Sequence, residues 1–400
     1  MQSAEIPPLR ATIAALCANL VGIGIARFGY TPLIPALIAA GWFTPSAAVY
    51  LGAANLAGYL AGALGARRAA AQLGAATTLR LAMALTAASL VACAFPLGFL
   101  WFFIWRFTSG CTGGAGMALA APSVMPHMPA ARRGIAGGAI FTGVGLGIAA
   151  SGTLVPLLIH WGLPVTWLGL GAIAAVLTAV AWNGWPAAGG LDTPAPDPAQ
   201  GDAATPLGLR ALYVQYALNA VGLLPHMVFL VDFIARGLGR GLAAGAMYWI
   251  VFGGGALIGP LIGGHIGDRI GFRTTLRATF LLQAGAVALP LLSTAAPFLV
   301  LSSFVAGASV PGIVAVTLGR MRELLPGDPN AQAAAWSWCT IAFALGQAIA
   351  GYGFSYIFAR SANGYPTIFA LGAVALLLGL ALDFVAAAAV ATTPRRAVRE

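Results

Sequence analysis

Apolar residues run along this chain in long blocks, and polar residues cluster in the short segments between them. Crossing a bilayer as a helix takes about twenty predominantly apolar residues. The pattern therefore predicts an all-α integral membrane protein with twelve transmembrane helices. The first block lacks a basic leader and is too long for a signal peptide, so we expect it to be a retained helix. The predicted helices cover residues 11–38, 46–66, 79–96, 98–122, 135–160, 164–186, 209–234, 243–266, 276–295, 297–318, 331–358 and 366–390.

Composition supports the membrane assignment. The 400 residues are 60% hydrophobic and only 8% charged, whereas an ordinary soluble domain is about 25% charged. The mean hydropathy is +0.89. Because surface must be covered by polar groups in water, a soluble fold has no place for so much apolar area. The lipid bilayer is therefore the expected surrounding of most of the chain.

The basic residues predict the orientation of the chain. There is no lysine, and the arginines lie mainly in loops on one side of the predicted topology. Arginines accumulate on the cytoplasmic side, so both termini are expected there, in a multi-pass protein of the cell inner membrane. The net charge of +10 then follows from topology, and no nucleic-acid partner is predicted. The cytoplasmic arginines would be Arg10, Arg67, Arg68, Arg80, Arg132, Arg133, Arg210, Arg269, Arg273, Arg277, Arg320, Arg322, Arg395, Arg396 and Arg399, against Arg236, Arg240 and Arg360 outside.

Few residues suggest metal, cofactor or enzyme chemistry. The four cysteines fall in predicted helices without the spacing of metal ligands, and we expect them to be small buried thiols. The glycine-rich stretches lie inside hydrophobic helices with no preceding strand, so helix packing explains them better than phosphate binding. The sequence therefore predicts no cofactor, no metal and no catalytic residue.

The chain divides into two similar halves. Residues 188–208 are rich in Pro, Gly and Asp, which predicts a cytoplasmic linker between six-helix bundles at 1–187 and 209–400. Gly62, Gly65 and Arg67 align with Gly264, Gly267 and Arg269 at a spacing of 202, and "TTLR" recurs at 77–80 and 274–277. Such a repeat is typical of transporters in which one half rocks against the other.

Two motifs resemble those of the major facilitator superfamily. "GHIGDRIGFR" (264–273) resembles the superfamily's G-x-x-x-D-R-x-G-x-R signature, and "RFTSGCTGG" (106–114) resembles its fourth-helix motif. The helix 5 antiporter motif is not matched. The sequence as a whole resembles the YbfB/YjiJ-type branch of this superfamily over nearly its full length, especially in "GIARFGYTPLIPALIAAGWF", "YLGAANLAGYLAGAL" and "PHMVFLVDFIARGLG". The resemblance implies two six-helix bundles with helices 1, 4, 7 and 10 around a central cavity.

The resemblance also implies a cytoplasmic latch that holds the bundles in one state. Its residues here would be Gly264, Asp268, Arg269 and Arg273, while the first-half copy has Ala66 in the acid position. The alternative is that the glycines only permit close packing and the charges are solvated.

Two arginines fall at bilayer depth, Arg27 in helix 1 and Arg106 in helix 4. A charge at the bilayer centre costs about 2.5–3.5 kcal/mol on insertion scales, so it should face a cavity or a partner. Neither has an obvious acid in the membrane, and a guanidinium suits carboxylate or phosphate. We therefore expect both to bind an organic anion. The alternatives are that backbone carbonyls at broken helices hold them, or that Asp232 reaches Arg27.

Helix 7 carries a polar stripe of Gln215, Asn219, Gly222 and His226, with Pro225 placed to unwind it. His226 is a candidate proton carrier, although a lone His in a helix is commonly a neutral hydrogen-bonded side chain. Asp232, with Arg236 four residues later, is the competing carrier. The remaining candidate substrate contacts, each of which is as easily interhelical packing, are Tyr30, Thr31, Asn55, Tyr59, Trp336, Thr340 and Gln347.

The sequence thus predicts a monomeric secondary active transporter that moves a small organic anion by alternating access, with protons as the coupling ion. One alternative is efflux of a neutral or cationic amphiphile, although a cation would favour an intramembrane acid. Another is a non-transporting membrane sensor on a transporter fold, although the sequence offers no long signalling tail.

Overall fold

Twelve membrane-length helices form the part of the chain described by the computed structural model, residues 7–129, 133–186, 207–361 and 364–392. Eleven of them are long and apolar enough to cross a membrane. The predicted all-α membrane fold is therefore confirmed. The helices are α1 (Pro8–Ala39), α2 (Pro45–Leu73), α3 (Ala75–Ala92), α4 (Phe99–Val124), α5 (Arg133–Ile159), α6 (Leu163–Ala181), α7 (Leu207–Gly237), α8 (Gly241–Ile270), α9 (Phe272–Leu292), α10 (Ala296–Leu324), α11 (Pro329–Arg360) and α12 (Gly364–Thr392).

Helix α4 is the one that is long enough to span but less apolar than the others. Its 26 residues give a length of about 39 Å at 1.5 Å per residue. Its low apolarity comes from Arg106 and from closely spaced glycines, both of which are buried against other helices. The residues that reduce its hydropathy therefore face protein, not lipid.

Two helices are interrupted at bilayer depth. Helix α1 contains a π-helical segment, Leu20–Ile25, followed by a 3-10 segment, Phe28–Leu33. Helix α7 contains π-helical segments at Pro225–Phe229 and Phe233–Gly237. The predicted unwinding at Pro225 is confirmed, since proline cannot donate the hydrogen bond that would continue the α-helix. The interruption of α1 agrees with the alternative of broken helices, and it frees backbone carbonyls for side chains of other helices.

The two halves of the chain use the same glycine contacts. In α2 and α4, Cβ atoms on Gly58 and Gly110 would overlap the carbonyls of Phe107 and Asn55. In α8 and α10, Cβ atoms on Gly255 and Gly307 would overlap the carbonyls of Phe304 and Phe252. The equivalent positions are 197 residues apart in all four pairs: 58 and 255, 110 and 307, 107 and 304, and 55 and 252. The backbones of these helices therefore touch at equivalent points in both halves.

The uniform spacing of 197 corrects the sequence alignment of 202 around the signature motif. Helices α2 and α8 are followed by Gly74 and Gly271, whose φ angles of 82° and 84° lie in the left-handed region. These glycines are also 197 apart. The residue equivalent to Asp268 is consequently Ala71 and not Ala66.

Helices α5 and α2 make the main contacts between the halves, α5 with α8 and α2 with α11. Glycines permit both approaches: Gly253 of α8 lies against Ala149 of α5, and Gly351 of α11 lies against Leu56 of α2. Most of the predicted linker 188–208 lies outside the described residues, so the proposed bundle boundaries stay predictions.

Candidate functional site

A cavity of about 50 Å³ lies between the two halves. Helices α1, α4, α7 and α10 all contribute to its wall, as the resemblance implies, and α2, α5 and α11 also contribute. Of the predicted substrate contacts, five line it: Arg27, Tyr59, Trp336, Thr340 and Gln347. The wall residues that sequence reasoning missed are apolar or aromatic and look like ordinary core: Ile23, Phe28, Met117, Phe141, Val144, Tyr216, Met227, Val310, Pro311 and Val314.

The cavity is closed on one side by contacts between the halves. We call the side where α1 begins and α12 ends the terminal face, and the other side the opposite face. Thr31 Oγ1 donates to the Met227 carbonyl at 2.6 Å, which joins the interrupted parts of α1 and α7. Trp249 Nε1 donates to Ser151 Oγ at 3.0 Å, joining α8 to α5. Both contacts lie nearer the opposite face than the wall residues Met117 and Trp336.

Arg27 supplies the only formal charge on the described wall of this cavity. It lies between the π-helical and 3-10 segments of α1 and is 9% exposed. Its guanidinium carbon is 5.0 Å from the ring centre of Tyr59 and 5.5 Å from that of Phe28. Its Nη2 is buried with no hydrogen-bond partner among the described residues. No acidic side chain within the described ranges forms an ion pair with it.

Arg106 is held by the interrupted helix, as one of the sequence alternatives anticipated. Its Nη1 donates to the Ala26 carbonyl at 2.6 Å, and its guanidinium carbon lies 4.2 Å from the ring centre of Tyr30. It is 2% exposed and does not line the central cavity. It borders a second, smaller cavity, of about 20 Å³, whose wall also includes Arg27. The two arginines are therefore neighbours, but only Arg27 reaches the central cavity.

Tyr30, Thr31 and Asn55 join helices and do not line the central cavity. The Tyr30 hydroxyl donates to the Ala48 carbonyl at 2.7 Å. Asn55 Nδ2 donates to the Arg106 carbonyl at 3.1 Å. With Thr31 bound to the Met227 carbonyl, Tyr30 and Thr31 hold the interrupted α1 against α2 and α7, while Asn55 joins α2 to α4. All three border the smaller cavity.

The polar stripe of α7 points into the second half, away from the central cavity. Gln215 Nε2 donates to the Gly379 carbonyl at 3.1 Å, and Asn219 Nδ2 donates to Gln283 Oε1 at 2.7 Å. His226 Nε2 lies 2.8 Å from Ser302 Oγ. These partners belong to α12, α9 and α10. Asn219 and His226 are therefore not brought to the cavity as the sequence predicted, and the residues of α7 that line it are Tyr216 and Met227.

The tautomer of His226 follows from its partner. The Ser302 hydroxyl donates its single proton to the Ala286 carbonyl at 2.6 Å, so it accepts from His226 Nε2–H. His226 is fully buried, and its Nδ1 has no partner among the described residues. This geometry is that of a neutral imidazole that ties α7 to α10.

Asp232 has the partner that the sequence predicted. Its Oδ1 accepts from Arg236 Nε at 2.5 Å, and its Oδ2 accepts from the Tyr365 hydroxyl at 2.6 Å. Asp232 is 1% exposed. The cluster joins the distorted end of α7 to α12, and the sequence alternative that Asp232 reaches Arg27 does not hold.

The latch residues lie at the terminal face of the second half. Asp268 and Arg269 are exposed. Arg273 Nε lies 3.3 Å from Asp383 Oδ2, an acid that also accepts from Arg277 at 2.6 Å. A Cβ added to Gly264 would meet no described neighbour within 4 Å. The contacts formed by Arg273 are therefore within the second half, and the latch stays a prediction.

Comparison with known proteins gives one family. The model of the MFS_4 family, described as "Uncharacterised MFS-type transporter YbfB", matches residues 19–384. No curated protein sequence matches the chain at a significant level.

Proposed function

We propose that this chain, which belongs to the YbfB-type family of major facilitator superfamily transporters, moves a compact organic monocarboxylate across the membrane. The family is one of transporters and not of enzymes, and the chain is a multi-pass membrane protein.

Arg27 is the observation that carries the proposal. A guanidinium stays charged at any physiological pH, and burying an ion costs several kcal/mol unless a partner compensates it. Within the described ranges no residue supplies the negative charge. An anionic ligand in the central cavity would supply it, and the planar donor geometry of arginine matches a carboxylate.

The rest of the wall restricts the anion. Phe28, Tyr59, Tyr216, Phe343 and the neighbouring aliphatic residues are apolar over most of their surface, so a second or third negative charge would lack a partner. The cavity of about 50 Å³ has room for roughly four water-sized groups. A monocarboxylate with a small branched or unsaturated body satisfies both limits. Thr340 and Gln347 add hydrogen-bonding groups at the wall.

A set of matched ligands tests the charge of the substrate. We expect isobutyrate to raise the apparent melting temperature of the purified protein and to be taken up into proteoliposomes. Its neutral isostere isobutyramide and the cation isobutylammonium should do neither, because only the acid compensates Arg27. Binding of the amide or the amine with affinity equal to that of the acid would contradict the proposal and favour transport of neutral or cationic amphiphiles.

Alternating access would proceed around this cavity. The contacts of Thr31 with Met227 and of Trp249 with Ser151 lie toward the opposite face, so breaking them is the step that would open that side. We propose that the terminal face is cytoplasmic, because arginines dominate there. On this assignment the described conformation is closed to the outside of a cell inner membrane, and the protein acts as a monomer.

We propose that transport is coupled to protons through Asp232, since the described contacts give His226 a structural role. Asp232→Asn should lower the dependence of uptake on a pH gradient at least fivefold, because the amide cannot exchange a proton. His226→Gln should keep that dependence, since its amide still donates to Ser302. The measurement is initial uptake into proteoliposomes with and without an imposed gradient.

Tyr365→Phe is the matched control for Asp232→Asn. It removes one hydrogen bond of the cluster but leaves the carboxylate, so gradient dependence should persist. Unchanged dependence in Asp232→Asn, or its loss in well-folded His226→Gln, would refute this coupling assignment.

A further inference from the structure

The smaller cavity lies beside the central one, between α1, α2, α4 and α7, and has a volume of about 20 Å³. Its wall contains both buried arginines, Arg27 and Arg106, and Asn55. Phe28, Leu56 and other apolar groups form most of the remainder. Two permanent positive charges therefore border a space that is otherwise nearly apolar.

Most polar atoms of this wall already have partners. The hydroxyls of Tyr30 and Thr31 donate to backbone carbonyls, and the Asn55 amide nitrogen donates to the Arg106 carbonyl. The buried atoms without a partner in the described part of the chain are Arg106 Nε, Arg27 Nη2 and Asn55 Oδ1. Two cationic donors against one neutral acceptor make the site suited to an anion. A water molecule could accept from the guanidiniums but would leave both charges uncompensated.

The volume decides what kind of anion fits. One water molecule needs a cavity volume of roughly 10–15 Å³. The smaller cavity, of about 20 Å³, therefore holds a single monatomic ion. A carboxylate carrying an organic body would not fit. Apolar walls also disfavour anions that hold their hydration shell strongly, because that shell must be given up on entry. A weakly hydrated halide meets all three requirements of charge, size and surroundings.

We propose that the smaller cavity is a chloride site, separate from the site of the transported organic anion. The ion accepts a hydrogen bond from Arg106 Nε and lies beside Arg27. It offsets the repulsion between the two guanidiniums and leaves the face of Arg27 in the central cavity free for the substrate. It also supports the interrupted α1, to which Arg106 is bound through the Ala26 carbonyl.

Thermal unfolding in the absence of any organic substrate tests the site directly. Chloride is titrated against gluconate at constant ionic strength, which separates binding from screening. We expect a saturable rise in the apparent melting temperature of the wild type, and the same rise with bromide. A crystal grown in bromide should show an anomalous peak within hydrogen-bond distance of Arg106 Nε.

Two variants locate the effect. A Cβ at position 52 would lie 3.6 Å from Val228 Cγ1 and 3.7 Å from Tyr30 Cε1, which are ordinary contacts. Gly52→Ala therefore fits the fold but fills space in the smaller cavity. We expect it to raise the chloride concentration needed for half-maximal stabilisation at least tenfold. Arg106→Gln should abolish it. Gly65→Ala, in the same helix with nothing near its Cβ, should respond as the wild type does.

The comparison uses the chloride-dependent change in melting temperature, so a general loss of stability in one variant does not obscure it. Equal chloride responses in the wild type, Gly52→Ala and Arg106→Gln would overturn the proposal, as would no response in the wild type. Stabilisation by formate or acetate but not by halide would also overturn it, because the cavity would then belong to the carboxylate site. Gluconate is too large for the central cavity of about 50 Å³, and isobutyrate is absent, so failure here leaves the proposed substrate class untouched.

Discussion

Replacing Arg27 with glutamine lowers isobutyrate uptake about 100-fold or more, with little change in the amount of folded protein. The guanidinium is the only charged group on the described wall of the central cavity. Removing one member of a buried charge pair typically costs about 2–5 kcal/mol, and each 1.4 kcal/mol is about a factor of ten in affinity. Folding is spared because Arg27 Nη2 forms no hydrogen bond to the described residues that the substitution would break. The measurements are initial uptake rate and isobutyrate affinity.

Two further variants separate charge from geometry. Arg27→Lys keeps the charge but loses the paired donors, so its affinity should fall between those of the wild type and Arg27→Gln. Arg240→Gln is the matched control, because Arg240 bonds the exposed Thr294 carbonyl away from the cavity. It should transport as the wild type does. Wild-type uptake by Arg27→Gln would remove the basis for an anionic substrate.

Arg27 could be identified from sequence because the free-energy cost of a charge in a membrane helix is evident from the apolar residues around it. A permanent charge in an apolar block needs an explanation wherever the helix lies, so no knowledge of neighbours was required. Arg106 met the same criterion, yet its guanidinium is partly satisfied by the Ala26 carbonyl. That carbonyl is available because α1 is interrupted there, and finding its partner requires knowing which helices pack against α1.

The direction of the polar stripe on α7 could not be derived in the same way. Helical spacing placed Asn219 and His226 on one face but did not say which neighbour that face meets. In the structure it meets α9 and α10, where Gln283 accepts a hydrogen bond from Asn219 and Ser302 accepts one from His226. The residues of α7 that reach the cavity, Tyr216 among them, carry the same apolar signature as any core position. Polarity alone therefore indicated buried contacts but not their location.

The twofold repeat was detectable from sequence, but its alignment was not. "TTLR" at 77–80 and 274–277 has the spacing of 197 that the structure shows throughout. The motif-based spacing of 202 arose because glycines are so frequent that several alignments match equally well. The backbone contacts identify the correct alignment. Gly62 faces the Cys111 carbonyl of the neighbouring helix, and Gly259 faces the Ala308 carbonyl in the same way.

Gly110→Ala should nearly abolish folded protein, and Gly307→Ala should do the same in the other half. A Cβ at either position would overlap a backbone carbonyl of the neighbouring helix, of Asn55 or of Phe252. Overpacking against movable side chains costs about 1–3 kcal/mol, and backbone inside a close helix pair has less freedom to move. We therefore expect destabilisation of at least about 3 kcal/mol, measured as monodisperse yield and apparent melting temperature in detergent.

Gly116→Ala supplies the control within α4, since nothing lies within 4 Å of its Cβ position. Alanine is about 1 kcal/mol better than glycine inside a helix, so this variant should be as stable as the wild type or slightly more so. The contrast between positions 110 and 116 then isolates the close approach of α2 and α4 from helix propensity. Because position 307 repeats the contact of position 110 at a distance of 197 residues, its variant tests whether both halves depend on the same geometry. Normal stability in Gly110→Ala, or a loss in one half only, would contradict the packing on which the central cavity is built.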